Sequence, residues 1–300
     1  AAALALYRHY APPGVPFHSF ALFMGVALSI TAFPVLARVI EERGLTRTAL
    51  GTTALACAAV DDVTAWSLLA VIVTLVSAGG VGGTLAFMVS ALAVFLALMV
   101  WLVRPWLGRV FEEVRGTLTR GLTAHVLVVL LGAALLTEVI GIHALFGAFL
   151  AGAIMPPGEE LRHQLRERLE SLSSVFLLPI FFAYTGLRTE IRLLNDAVSW
   201  AVCVGIILTA VAEKLVGSML AARWSGSTWH DAFVLGALMN TRGLMELVAL
   251  NVGYDLGILS PPIFTMLVLM ALVTTAMTGP LLTLADHLRA EARTIRANYV

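Results

Sequence analysis

Charge is what this chain has least of. Only 13% of its 300 residues are charged, about half the share of an average soluble chain, whereas 59% are hydrophobic. Mean hydropathy is +0.92. That balance excludes a water-soluble enzyme and a disordered tail. Basic and acidic residues cancel at 19 each, so no basic excess is available to meet a phosphate backbone, and nucleic acid is not an expected partner. Cysteine is nearly missing: Cys57 and Cys203 lie in apolar runs and exclude a disulfide framework. There is no HExxH, no phosphate-binding glycine loop and no Cys/His cluster, so neither a metal nor another cofactor is implied. Lysine occurs once, at position 214. What is abundant is apolar sequence in long runs, the mark of an all-α polytopic membrane protein embedded in the lipid bilayer.

A helix crossing a bilayer needs about 20 mostly apolar residues. Nine runs qualify: 17–40, 48–76, 83–103, 122–139, 142–155, 173–187, 197–222, 232–252 and 263–284. The fifth and sixth are short. Between them, alternate loops carry Arg38, Arg43 and Arg47; Arg104, Arg109, Arg115 and Arg120; Arg162, Arg166 and Arg168; Arg223; and Arg289, Arg293 and Arg296. These 14 cations stand against three on the opposite side, Arg8, Arg188 and Arg192. By the positive-inside rule the C-terminus, including a tail at 285–300, is cytoplasmic and the residues before Phe17 lie outside. The chain opens without Met on an apolar stub that reads like the end of an earlier helix, so N-terminal truncation is expected.

Six ionisable residues fall well inside these runs: Asp61, Asp62, Glu213, Lys214, Arg242 and Glu246. Each costs roughly 2.5–3.5 kcal/mol at a helix centre, so they must pair or line a wet cavity. Asp61 and Asp62 follow Arg47 by about 20 Å of helix, near mid-bilayer. Adjacent helical residues point about 100° apart, so one carboxylate should face a fixed cation and the other an aqueous cavity. Ala58 and Ala59, one turn earlier, would leave room for an ion. Lys214 either opposes the carboxylates or snorkels about 14 Å toward Arg223 and the interface. Lysine, unlike arginine, can lose its proton when buried. Arg242 and Glu246 are spaced to pair on one helix face. Glu213 should face a neighbour or the interface. Gly147 and Ala151, with Ala148 and Gly152, read as close helix packing. Of the seven histidines His143 is the deepest, and a hydrogen-bonded or solvated role suits it.

Two runs are interrupted. Thr31-Ala32-Phe33-Pro34 should break the first near mid-membrane, because Pro34 lacks a donor and collides with the carbonyl of Ile30. A simple kink is the plainer outcome for Pro34 alone. Asn240-Thr241-Arg242-Gly243 weakens the eighth run at similar depth. By the loop charges, the first runs inward and the second outward. Paired interruptions of opposite direction point to an inverted-repeat transporter.

At these residues the chain resembles the cation:proton antiporter 2 family, which includes Kef-type potassium efflux systems and plant cation/proton exchangers. Residues 29–38 (SITAFPVLAR), 59–66 (AVDDVTAW), 178–182 (LPIFF) with Gly186 and Leu187, and 240–247 (NTRGLMEL) carry the likeness in order. It implies one exchanger domain over 1–300, with an inverted-repeat fold of two crossed discontinuous helices and a scaffold that makes a homodimer. It implies that Asp62 carries Na⁺ or K⁺ and H⁺ in turn, that Asp61 pairs with Lys214, and that Thr31 sits at the crossing. Pro34, Asn240, Arg242 and Glu246 would shape the breaks around it. Members have about three more N-terminal helices than the nine runs here. Secondary antiport in a bacterial inner membrane is the leading expectation. A channel-like potassium efflux component and a sodium-coupled solute symporter are the alternatives.

Overall fold

The computed structural model describes residues 2–77, 82–113, 119–141, 144–155 and 159–298, which form helices joined by loops and turns. In chain order the helices are α1 (Ala2–Tyr10), α2 (Phe17–Ser29), α3 (Phe33–Glu42), α4 (Ala49–Ser77), α5 (Gly82–Leu98), α6 (Arg104–Glu113), α7 (Arg120–Ile140) and α8 (Ala144–Ala153). They continue as α9 (Glu159–Leu172), α10 (Leu178–Arg188), α11 (Ala197–Val211), α12 (Gly217–Trp224), α13 (Trp229–Met239), α14 (Leu244–Asp255) and α15 (Pro261–Asn298). Among the described residues, seven helical stretches are long and apolar enough to span a bilayer, and the bent pair α13–α14 makes an eighth. The remaining run, the fifth, is the ten-residue α8, about 15 Å long and too short to cross alone. His143 and Arg115 lie outside the described residues, as do the side chains of Arg162, Arg293 and Arg296.

Two compact units divide the chain, one of residues 1–69 and 188–300, the other of residues 70–187. In the first, Leu36, Ile40, Ala54, Ala58, Val234 and Leu282 form a buried core that joins α3, α4, α13 and α15. In the second, Phe95, Met99, Leu107, Ala133, Ala151 and Ile154 do the same for α5 to α8. There a Cβ on Gly147 would run into the carbonyl of Ala133, so α8 lies directly against α7. Of the small residues, Gly147 and Ala151 are buried, Ala148 is half-buried and Gly152 is exposed. Meanwhile Val60, Val63, Trp101, Val139, Leu187 and Val198 are exposed. Water would not tolerate so much open apolar surface; hydrocarbon does. This is an integral, multi-pass membrane protein.

Local chemistry explains the helix limits. Pro34 occupies the first turn of α3, where its missing N–H is no loss. Thr228 caps α13 by accepting the Asp231 N–H at 3.1 Å. Asp196 caps α11 by accepting the Ser199 N–H at 2.9 Å, and the Ser199 hydrogen bonds hold its carboxyl below the ordinary range.

Two expectations need correction, and the structure adds the local conformation of the tail. The sixth run is not short: Glu159 to Arg188 is helical throughout, through a π turn at Ser173–Leu177, so Arg166 and Arg168 sit on helix α9 rather than in a loop. Exposed i,i+4 pairs, such as Arg166 with Glu170 at 3.2 Å, each add a few tenths of a kcal/mol and help a polar segment stay helical. Residues 285–298 extend α15 as helix. Finally, Ala58 is packed in the core and Ala59 is exposed, so neither makes room for an ion.

Candidate functional site

The two interrupted helices meet at their interruptions. After Ser29 the chain is extended through Ile30 (ψ 134°) and Ala32 (ψ 94°), and α3 starts at Phe33. Extension turns the Ala32 N–H outward, and it donates to the carbonyl of Thr241 at 3.0 Å. Thr31 Oγ1 donates to the carbonyl of Met239 at 3.1 Å. Thus backbone groups freed by each break are satisfied by the other, as burial requires. The approach is close enough that a Cβ on Gly243 would stand 2.8 Å from Val35 Cγ2. Helices α13 and α14 bend by 45° across their break.

Arg242 lies in that second break with its side chain fully buried. Its guanidinium donates to the carbonyls of Ala27 (2.8 Å) and Leu28 and to Glu246 Oε1 (3.1 Å). Ala27 and Leu28 belong to the last turn of α2, whose carbonyls have no helical partner. A cation there also complements the negative end of the helix dipole. Glu246, itself fully buried, keeps Oε2 without a partner.

Lys214 sits on a π turn, Ala212–Val216, between α11 and α12. Such turns shift the register of a helix face and recur at functional sites. Neighbouring α13 packs tightly on it, since a Cβ on Gly236 would come 2.5 Å from the carbonyl oxygen of Leu215. Lys214 is buried, and its ammonium donates to Asp61 Oδ2 at 3.0 Å and to Thr31 Oγ1 at 2.8 Å. It points inward and does not snorkel, while Glu213 beside it is exposed.

Asp62 points elsewhere. Its Oδ1 is sealed from solvent with no hydrogen-bond partner, beside a cavity of about 10 Å³ lined by Ile30, Ala65, Trp66, Leu69, Met245 and Ala249. That volume is at the lower limit for one water. The lining therefore comes from the turns after Asp62 and from both broken helices. So the structure brings together Thr31, Asp61 and Lys214 in one hydrogen-bonded set, and Arg242 with Glu246 in another, with Asp62 at a separate cavity.

Sequence reasoning missed the support given by α15. Asn240 Nδ2 donates to the carbonyl of Thr274 at 3.2 Å, Thr275 Oγ1 bonds the backbone of Arg242, and Thr278 Oγ1 lies 3.3 Å from Thr241 Oγ1. The available signal was three threonines at 274, 275 and 278 in an otherwise apolar run.

Pro34 fixes where α3 begins. Pro34→Ala should let the helix wander back toward Ile30, competing with the Ala32–Thr241 hydrogen bond. Hydrogen exchange of the Ala32 amide should then speed up by a few-fold, as read by mass spectrometry of the segment 28–36. An unchanged exchange rate would mean that the proline does not hold the first break open.

Comparison with known proteins adds what geometry alone does not. Residues 1–285 match the family described as sodium/hydrogen exchanger, transmembrane. The Na(+)/H(+) antiporter NhaS4 of a Synechocystis species is 44% identical over 278 residues, 92% of this chain and 68% of its own length. Cation/H(+) antiporter 20 of Arabidopsis thaliana is 40% identical over 286 residues, 92% of this chain but 34% of its own length. K(+)/H(+) antiporter 1 of Saccharomyces cerevisiae is 36% identical over 271 residues, 89% of this chain and 31% of its length. The chain thus spans about two thirds of the first relative and about one third of the plant and yeast ones. Its family is one of transporters, not enzymes, and the chain belongs to the sodium/hydrogen exchanger transmembrane family.

Proposed function

We propose that residues 1–300 form an exchanger domain that moves a monovalent cation, Na⁺ or K⁺, against protons, with Asp62 as the shared binding group. The observation that carries this reading is the Asp62 oxygen that is sealed, without a partner and beside a cavity. A carboxylate so placed needs a proton or a cation, and either one excludes the other. Asp61, by contrast, is occupied by Lys214. The names of the relatives support the substrates: one is a Na⁺/H⁺ antiporter, another a K⁺/H⁺ antiporter. Thr31 and Lys214 hold Asp61 ready, while Pro34, Asn240, Arg242 and Glu246 keep the two breaks open around the site.

The domain works as a homodimer in a bacterial inner membrane, with its C-terminus in the cytoplasm on the side of the 14 arginines. The test is exchange by the full-length protein in proteoliposomes carrying a pH gradient. Adding Na⁺ or K⁺ outside should collapse the gradient through coupled proton movement. If neither cation moves protons, the antiport reading fails.

A further inference from the structure

We propose that Thr275 is a positioning residue for the ion site, fastening the unwound backbone of the second break to α15. The inference rests on the antiport reading above for its transport consequence, and on geometry alone for its structural one.

The second break leaves main-chain groups of Arg242 without helical partners, in a residue whose side chain has no access to solvent. Thr275 meets both. Its Oγ1 accepts the Arg242 N–H at 3.1 Å and lies 2.7 Å from the Arg242 carbonyl oxygen. It also lies 2.8 Å from the carbonyl oxygen of Ala271, one turn back in its own helix. A hydroxyl has one proton. It therefore serves either Arg242 or Ala271 at a given moment, while continuing to accept from the Arg242 N–H. Among the described residues, the nearest polar side chains are engaged elsewhere. Asn240 takes the Thr274 carbonyl, and Thr278 faces Thr241.

The position matters because of what hangs on Arg242. Its guanidinium holds the end of α2 through Ala27 and Leu28. One residue earlier, the Thr241 carbonyl receives the Ala32 N–H. Two residues before that, the Met239 carbonyl receives Thr31, which in turn accepts from Lys214. Lys214 ends the series on Asp61. A backbone shift at Arg242 is therefore passed to both broken helices and, through Lys214, to Asp61, the chain neighbour of Asp62. Thr275 touches neither aspartate and acts only through Arg242.

Thr275→Val keeps the shape and removes both hydrogen bonds; Thr275→Ser keeps the hydroxyl. Two readouts are made on the full-length protein. Hydrogen exchange in the segment 240–243 should speed up at least ten-fold in Thr275→Val and stay within two-fold of the unmodified protein in Thr275→Ser. In proteoliposomes, apparent cation affinity should weaken about ten-fold in the valine variant, about what one lost buried hydrogen bond is worth. Maximal rate should stay within about two-fold, and the serine variant should restore affinity. Should the valine variant not fold, Thr275→Cys, whose thiol is a weak donor and acceptor, replaces it with the same expectations in smaller measure. Unchanged exchange at 240–243 overturns the proposal, and so does a serine variant as impaired as valine. If the unmodified protein transports no cation, the antiport reading fails, and hydrogen exchange alone decides the role of Thr275.

Discussion

Asp62→Asn should abolish cation-coupled proton movement while leaving the protein folded and its membrane insertion unchanged. The amide is nearly the same size as the carboxyl, so the packing of Ile30, Trp66 and Met245 around it is kept. What is lost is chemistry: an amide neither titrates nor supplies a full negative charge. No hydrogen bond is sacrificed at Oδ1, since that atom has none. The fold should therefore lose little, and thermal stability should equal or exceed that of the unmodified protein, because a poorly solvated charge has been removed. Residual exchange near the unmodified level would take Asp62 out of the carrier role.

Lys214→Gln should do the opposite: a large loss of stability with a change in the kind of transport. Breaking a fully buried ion pair costs roughly 3–5 kcal/mol, and because Asp61 keeps some access to solvent the loss here should lie at or below the lower end of that range. Here the ammonium serves two partners, Asp61 and Thr31, so the end of one broken helix loses support as well. The transport consequence follows from the same contacts. If a cation entering beside Asp62 draws Asp61 away, the lysine is left without its carboxylate in a poorly solvated place, where it can release its proton. With the proton displaced from Asp62, two protons would then move against one monovalent cation, and net charge would cross the membrane. Without the lysine, exchange should become slower or electroneutral. The comparison is transport by the unmodified and Lys214→Gln proteins under an imposed membrane potential. If the unmodified protein ignores the potential, the lysine is a structural partner only and the two-proton coupling is wrong.

How far such a site is legible in sequence depends on the kind of signal. Asp61, Asp62, Lys214, Arg242 and Glu246 stand out because a charge in an apolar run is costly, and cost marks a residue whatever surrounds it. The interruptions at Pro34 and at Asn240 to Gly243 are visible because proline and glycine act on their own backbone. Neighbours are another matter. That the two breaks hydrogen-bond each other, through Ala32 with Thr241 and Thr31 with Met239, depends on chain segments about 200 residues apart. The side of Asp62 on which space lies depends on packing: Ala58 looked open and is filled by the core, whereas Trp66 and Leu69 leave the gap. Thr275 was invisible because a threonine in an apolar helix ordinarily bonds back to its own chain, as Thr209 does to Gly205. Nothing in residues 271–278 says that one of three threonines also holds a distant backbone. The helical run through Arg166 and Arg168 was hidden because its polar composition matches a loop as well as a helix stabilised by ion pairs.

The central claim is that proton and cation compete for one carboxylate, and it can be tested without a membrane. Purified full-length protein in detergent, lightly buffered near the midpoint of its transport activity, is mixed with Na⁺ or K⁺ while a pH indicator reports released protons. The account predicts saturable proton release on cation addition in the unmodified protein and none in Asp62→Asn. Cation binding with no proton release, or equal release from the Asp62→Asn variant, would contradict it.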